Sequence, residues 1–368
     1  MKFGINNPAW LQAAGNRVSE ATFYVVSRAD NNEIGFFDTL FADFANNLTF
    51  SVNSMDNWQQ LERSTIISIN SGDVVYFRNN TGESSRVDGR KLFNINKEFD
   101  AGGELTRMLF PDGVLVEYAL NYAFGELPIV SAKNLSLHID TLGLYCYSDM
   151  FLNCSSLTEA PALPATTLSD QCYERMFKGC SSLTEAPALP VTTLYYRCYG
   201  EMFSGCSSLT EAPALPATTL ADSCYERMFK GCSSLTEAPA LPATTLAESC
   251  YSGMFQQCSS LTEAPALPAT TLAESCYNGM FSECEALTVS PILPATTLVY
   301  SCYRSMFSTC QYLETVICLA TDISAYRCTE EWLNRVPATG TFTKAAGVEW
   351  PTGISGIPEG WTVQDYAG

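Results

Sequence analysis

Cys172-Tyr173-Glu174-Arg175-Met176-Phe177-Lys178-Gly179-Cys180-Ser181-Ser182-Leu183-Thr184-Glu185-Ala186-Pro187-Ala188-Leu189-Pro190-Val191-Thr192-Thr193-Leu194 is one copy of a unit that recurs every 26 residues. Its first cysteine returns at Cys146, Cys172, Cys198, Cys224, Cys250, Cys276 and Cys302, and Cys328 opens an eroded eighth copy. A unit this short cannot bury its own apolar face, so each copy must bury it against its neighbours. The second half of the chain is therefore a stack of coils, and the functional question becomes what its long surface touches.

Within the unit, Cys172, Met176 and Cys180 lie at i, i+4 and i+8, and Tyr173 and Phe177 at i and i+4. That spacing predicts a two-turn amphipathic helix with one broad apolar face. The residues between change from copy to copy, Glu174, Arg175 and Lys178 here and Ser252, Gly253 and Gln256 later, which points them to solvent. Ser181-Ser182 turns the chain into an extended arm. Pro187 and Pro190 cannot donate to a ladder, so the arm is a short strand or partly polyproline-like. Thr192-Thr193-Leu194 suits a second short extended segment. Coils would lie about 4.8 Å apart where arms pair, making a slab roughly 40 Å long.

The Met-Phe-x-x-Cys-Ser-Ser-Leu core, followed by an extended Leu-Pro step, resembles the BspA-like leucine-rich repeat. The longer Pro-Ala-Leu-Pro-Ala-Thr-Thr-Leu form is similar to repeat proteins common in Bacteroides and their phages. The likeness runs over about residues 119–368, through Thr341 to Lys344, Trp350-Pro351 and Ile357 to Val363. It implies an α/β repeat, a leucine-rich-repeat-type solenoid of about eight 26-residue coils, preceded by an antiparallel β-rich domain. It also implies a binding scaffold with changeable surfaces, and names no ligand.

A stack needs ends that cover its core. Trp332-Leu333 take the Met-Phe phase in the last copy, so Thr329 to Gly368 reads as a C-terminal cap behind repeats at 146–328. Residues 118–145 read as an N-terminal capping coil, with Leu137 and Leu142 one period before Leu163 and Leu168. Upstream, Thr65 to Ile69 and Val74 to Arg78 flank Asn70-Ser71-Gly72-Asp73, a β-hairpin signal inside a β-rich domain over 46–117. Residues 1–45 carry Trp10, Leu11, Phe23 to Val26 and Phe36-Phe37, too apolar for a linker, and read as a docking or anchor segment.

Composition narrows the function. Of 368 residues, 46% are hydrophobic and 16% charged, as in a packed protein. A net charge of −19 argues against nucleic acid, which needs clustered Lys and Arg. No apolar run is long enough for membrane insertion. Met1 to Pro8 shows no secretory leader, which predicts synthesis in the cytoplasm without the general export route. Of the 16 cysteines, those from Cys146 to Cys310 alternate at spacings of 8 and 18, Cys318 and Cys328 follow at 8 and 10, and there is no C-x-x-C for zinc. On a helix, residues eight apart are about 12 Å from each other, beyond the roughly 7 Å a disulfide spans. Pairing between coils would be ambiguous, so two columns of buried, reduced thiols are expected. The lone His138 forms no metalloprotease pair, and neither a nucleophile elbow nor a P-loop occurs. No catalytic residue, metal or cofactor is expected, and no enzyme.

The candidate surface has two parts. Glu159, Glu185, Glu211, Glu237 and Glu263 fill one column, a solvated acidic face or a docking stripe for a basic partner or divalent cations. The paired threonines, Thr166-Thr167 to Thr296-Thr297, suit hydrogen-bonded ladders. Tyr195, Tyr196 and Tyr300 stand where other copies carry Ala-Asp or Ala-Glu, and they are the expected contacts for a protein or glycan ligand. Together these features predict non-enzymatic recognition or adhesion. The leading expectation is a phage virion decoration or fibre component, docked through its N-terminal region to another virion or surface-anchored protein, with a homo-oligomer possible. It would bind bacterial-surface or gut host material. The alternative is an exported bacterial cell-surface adhesin.

Overall fold

The computed structural model describes residues 22–36, 47–62, 64–82 and 91–367. Its N-terminal part is two facing sheets. β1 (Thr22–Ser27), β3 (Leu48–Val52), β4 (Gln59–Gln60), β6 (Val74–Asn79), β8 (Phe99–Gly103) and β9 (Ile129–Leu135) form one sheet in the order β4-β3-β6-β1-β8-β9. β2 (Asn32–Phe36), β5 (Ile67–Ile69) and β7 (Phe93–Ile95) form the other, ordered β5-β2-β7. Their inner faces meet through rings: Phe93 lies 5.3 Å from Phe23 and 5.8 Å from Phe77.

Two expectations change here. The Asn70–Asp73 turn forms, with Asp73 N–H donating to the Asn70 carbonyl at 3.0 Å. Its flanking strands do not pair as a hairpin, however: β5 joins β2 and β6 joins β1 and β3, so the turn carries the chain from one sheet to the other. β6 buries four successive residues, Val74 to Phe77, which a single two-stranded ribbon could not cover. Of the expected 1–45 anchor segment, residues 22–36 supply β1 and β2 in the middle of these sheets. Residues 1–21, with Trp10 and Leu11, lie outside the described residues.

β9 joins the two halves. It pairs in parallel with β8, and Ser131 on it bridges Glu159 of the first full copy. From there the copies stack, and the Cys-Tyr-x-x-Met-Phe-x-x-Cys segment is not helical. The only α-helix among the described residues is α1 (Leu105–Leu109) in the N-terminal part, so the expected α/β repeat is corrected to a strand-and-turn repeat.

The segment is a chain of tight turns with a four-residue period. Cys172, Glu174, Met176, Lys178 and Cys180 each donate their N–H three residues back, at 3.0–3.4 Å. Gln171, Tyr173, Arg175, Phe177 and Gly179 donate theirs instead to Tyr196, Cys198, Gly200, Met202 and Ser204 in the next copy, at 2.7–3.1 Å. An α-helix spends its interior N–H groups on itself. Alternating turns free half of them to bond copy to copy, and that ladder is what a stack requires. The cost is a left-handed residue every fourth position: Gln171 at φ 56°, Arg175 at 54° and Gly179 at 76°.

Inward-facing side chains form unbroken columns. Phe124, Phe151, Phe177, Phe203, Phe229, Phe255, Phe281 and Phe307 stack at 5.4–5.7 Å with interplanar angles of 4–7°. The tyrosine column from Tyr147 to Tyr303 stacks at 5.8–6.1 Å. All sixteen cysteines are free and buried. In the second cysteine column, from Cys154 to Cys310, each thiol donates to a phenylalanine carbonyl one copy back at 3.0–3.2 Å.

The arms behave as their prolines dictate. From Glu159 to Glu263 neighbouring arms meet at single bridges between glutamates, and threonines bridge at Thr193–Thr219 and Thr245–Thr271. Where later copies carry Val-Ile-Cys and Phe-Thr-Lys, true strands appear, β11 (Thr315–Cys318) and β12 (Thr341–Lys344); β13 (Thr362–Asp365) follows, and β10 (Val289–Leu293) precedes them with its register broken around Pro291, all parallel. At this end Trp332 continues the tyrosine column 6.5 Å from Tyr303, and Trp350 stacks on it at 5.3 Å. At the other end Phe93 of the sandwich lies 5.9 Å from Phe124, so the aromatic core is continuous.

Candidate recognition surface

The glutamate column is exposed at all five expected positions, with adjacent members bridged through their backbones. Glu159 at its head is neutralised from within the chain: Lys133 reaches it at 3.3 Å and the Ser131 hydroxyl donates at 2.7 Å. That hydroxyl, with burial opposing and Lys133 assisting, holds the Glu159 carboxyl below the usual carboxylate range. Glu185, Glu211, Glu237 and Glu263 make no ion pair among the described residues. Beside the column the arms leave open clefts of about 590, 540 and 580 Å³, walled by Glu, Ala and Pro of successive copies.

The tyrosines are exposed but do not form one patch. Tyr195 and Tyr196 are 41% and 43% exposed, and Tyr300 is 41%. Tyr196 and Tyr300 occupy the same column four copies apart, about 19 Å by strand spacing, with exposed Asp222, Glu248 and Glu274 between them. Sequence reading missed two rings. Tyr326 is 71% exposed, one period after Tyr300 and 6.1 Å from it, with the Arg327 guanidinium 5.3 Å over its ring. Tyr312, 64% exposed, replaces the second serine of Ser-Ser-Leu. Both were legible as departures from the repeat.

The variable positions on the turn ribbon differ from expectation. They are not free contacts but braces between copies: Arg175 meets Asp149 at 2.8 Å, and Arg197 meets Glu174 at 2.9 Å and Glu226 at 3.1 Å. Lys178 pairs with Glu201 and Arg304 with Glu330. Glu174 and Asp149 are buried, and burial raises the Asp149 pKa although Arg175 opposes it. Oppositely charged residues one copy apart carried that signal. His138 is exposed, its backbone N–H donating to the Thr106 hydroxyl at 3.1 Å. No group of three or more metal-ligating side chains converges among the described residues.

This geometry, a strand-and-turn unit stacked by an i to i+25 ladder with columns of Phe, Tyr and Cys, agrees with the family comparison. Residues 90–210 and 175–314 match the BspA type leucine rich repeat region, with six copies. The chain belongs to the BspA-type leucine-rich repeat family. No curated protein and no solved structure matches it. BspA-type repeats typically serve binding rather than catalysis, in surface or extracellular proteins. No helix among the described residues is long and apolar enough to cross a membrane.

Proposed function

We propose that this BspA-type protein is a non-enzymatic recognition protein, a capped solenoid of about eight coils that presents a protein- or glycan-binding surface. One observation carries the reading. Tyr195, Tyr196 and Tyr300 stand 41–43% exposed on a scaffold that buries its seven column tyrosines to 0–1%. Amphipathic rings held half in water are the usual anchors of a contact surface. Replacing Tyr195, Tyr196 and Tyr300 with Ser is expected to weaken adhesion to gut bacterial or host material roughly tenfold, about 1.4 kcal/mol at such anchors. The melting temperature should hold. Unchanged adhesion, or a large thermal loss, assigns these rings to structure instead.

The finer reading is display on an exterior. In its first form the protein is a phage virion decoration or fibre component, its sandwich end docked on the particle and its repeats outward, with the copy number set by particle symmetry. In its second form it is a bacterial cell-surface adhesin, which the family's usual placement favours. Mass spectrometry of purified particles against washed cells separates the two. Removing residues 1–21 keeps every described strand in the chain and tests docking: loss of incorporation with an unchanged fold supports it.

A further inference from the structure

Between the glutamate bridge and the threonine corner, the arms of successive copies are not laced together. From Pro187 to Leu189 no backbone N–H or C=O finds a backbone partner, and the same holds over 213–215, 239–241 and 265–267. Prolines remove the donors a ladder would use. The clefts here share walls: that over 211–242 and that over 237–268 have Glu237, Ala238, Ala240 and Pro242 in common. These two form one trough along the later copies, lined by carboxylates, alanines, prolines and unspent backbone polar groups, and the cleft over 158–190 repeats that lining in the earlier ones. The chain itself shows what suits it. Lys133 lines the first cleft and sets its ammonium against Glu159.

We infer that this trough binds a cationic polypeptide lying along the stack in polyproline II conformation, with Lys or Arg at every third residue. The inference rests on the reading of the repeats as a binding scaffold. Three polyproline II residues advance about 9.3 Å, and two copies advance about 9.6 Å, so such a peptide stays in phase with alternate glutamates. An α-helix repeats every 5.4 Å against a copy spacing of about 4.8 Å and drifts by roughly 2.4 Å over four steps. A β-strand repeats at about 6.7 Å and falls out of phase at once. Polyproline II also leaves its own backbone groups unpaired, free to meet those of the arms.

The test uses the full chain and two labelled peptides of identical composition, one of three Lys-Pro-Pro triplets and one with three contiguous lysines followed by six prolines. Binding is read by fluorescence anisotropy at low and moderate salt. The triplet peptide should bind at least several-fold tighter than the block isomer, and moderate salt should weaken it. The quadruple variant E185Q/E211Q/E237Q/E263Q should lose that preference while its melting temperature holds or rises, since like charges that face each other are removed. Equal binding of the isomers, or undiminished binding by the variant, overturns the inference. If the triplet peptide fails to bind while tyrosine-dependent adhesion persists, only the trough is wrong. If both fail, the scaffold reading falls with it.

Discussion

A thiol in the second cysteine column does two things that no aliphatic side chain of its size does together. It fills a slot closed on every side, and it gives its weak S–H donor to a phenylalanine carbonyl one copy back. Burial is also what sets its acidity. It pushes the thiols of Cys154, Cys198, Cys232, Cys250, Cys310 and Cys318 up from 9.0 to about 12. A group whose pKa folding raises holds its proton more tightly when folded. Its stability contribution is therefore intact below about pH 9 and is lost as the pH climbs toward 12. Each such thiol forfeits on the order of 1 kcal/mol per pH unit in that window. Denaturant midpoints should stay level from pH 6 to 8 and fall steeply above 9. A thiol reagent at pH 8 should label almost nothing in the native chain and close to sixteen sites in denaturant. Rapid labelling of the folded protein would contradict the burial.

At the scale of the element, the turn ribbon and a helix make opposite forecasts for one substitution. Gly205 sits at φ 78° with room for a methyl group, the nearest atom being Gly179 Cα at 3.5 Å. In a helix, Gly205→Ala would stabilise by about 0.5–1 kcal/mol. In the ribbon it should destabilise by about 1–2 kcal/mol, the cost of a left-handed L-residue, as read by chemical denaturation. The period of the stack, its columns and the prolines' veto on strands were all legible in the chain. The helix was not, because an i, i+4 stripe belongs to both periods. A 3.6-residue helix drifts and recruits i+3 positions, whereas Cys172, Met176 and Cys180 keep strict fours. Glycines recurring at Gly179, Gly205, Gly231, Gly253 and Gly279 pointed the same way. The charged braces stayed hidden for a different reason. Glu174 and Arg197 become neighbours only when the ribbon's register is known, and variation alone looks like exposure.

For the whole molecule, the two ends matter more than their length suggests. β1 lies between β6 and β8, and the Phe23–Phe93–Phe124 contacts pass the sandwich core into the phenylalanine column. A chain beginning at residue 46 lacks β1 and β2, so it should lose the cap along with the sandwich. Limited proteolysis is expected to erode it from the first copies inward, because a stack without a cap exposes core. A chain that melts like the full protein would show that the repeats close themselves. The acidic surface and the trough belong to this scale as well: neither exists in one copy, and both come from repetition.

The ladder between copies has one further consequence. Every junction from Cys172 to Cys310 uses the same donor and acceptor positions and the same stacked rings, so these seams are interchangeable. Removal or duplication of one whole period rejoins surfaces that already fit, whereas a gain of any other length misaligns every turn beyond it. Near-identical copies are also the places where DNA recombines unequally. Reach, the number of glutamates in the column and the spacing between Tyr196 and Tyr300 are therefore quantities that a lineage can alter in a single event, with the fold left as it was.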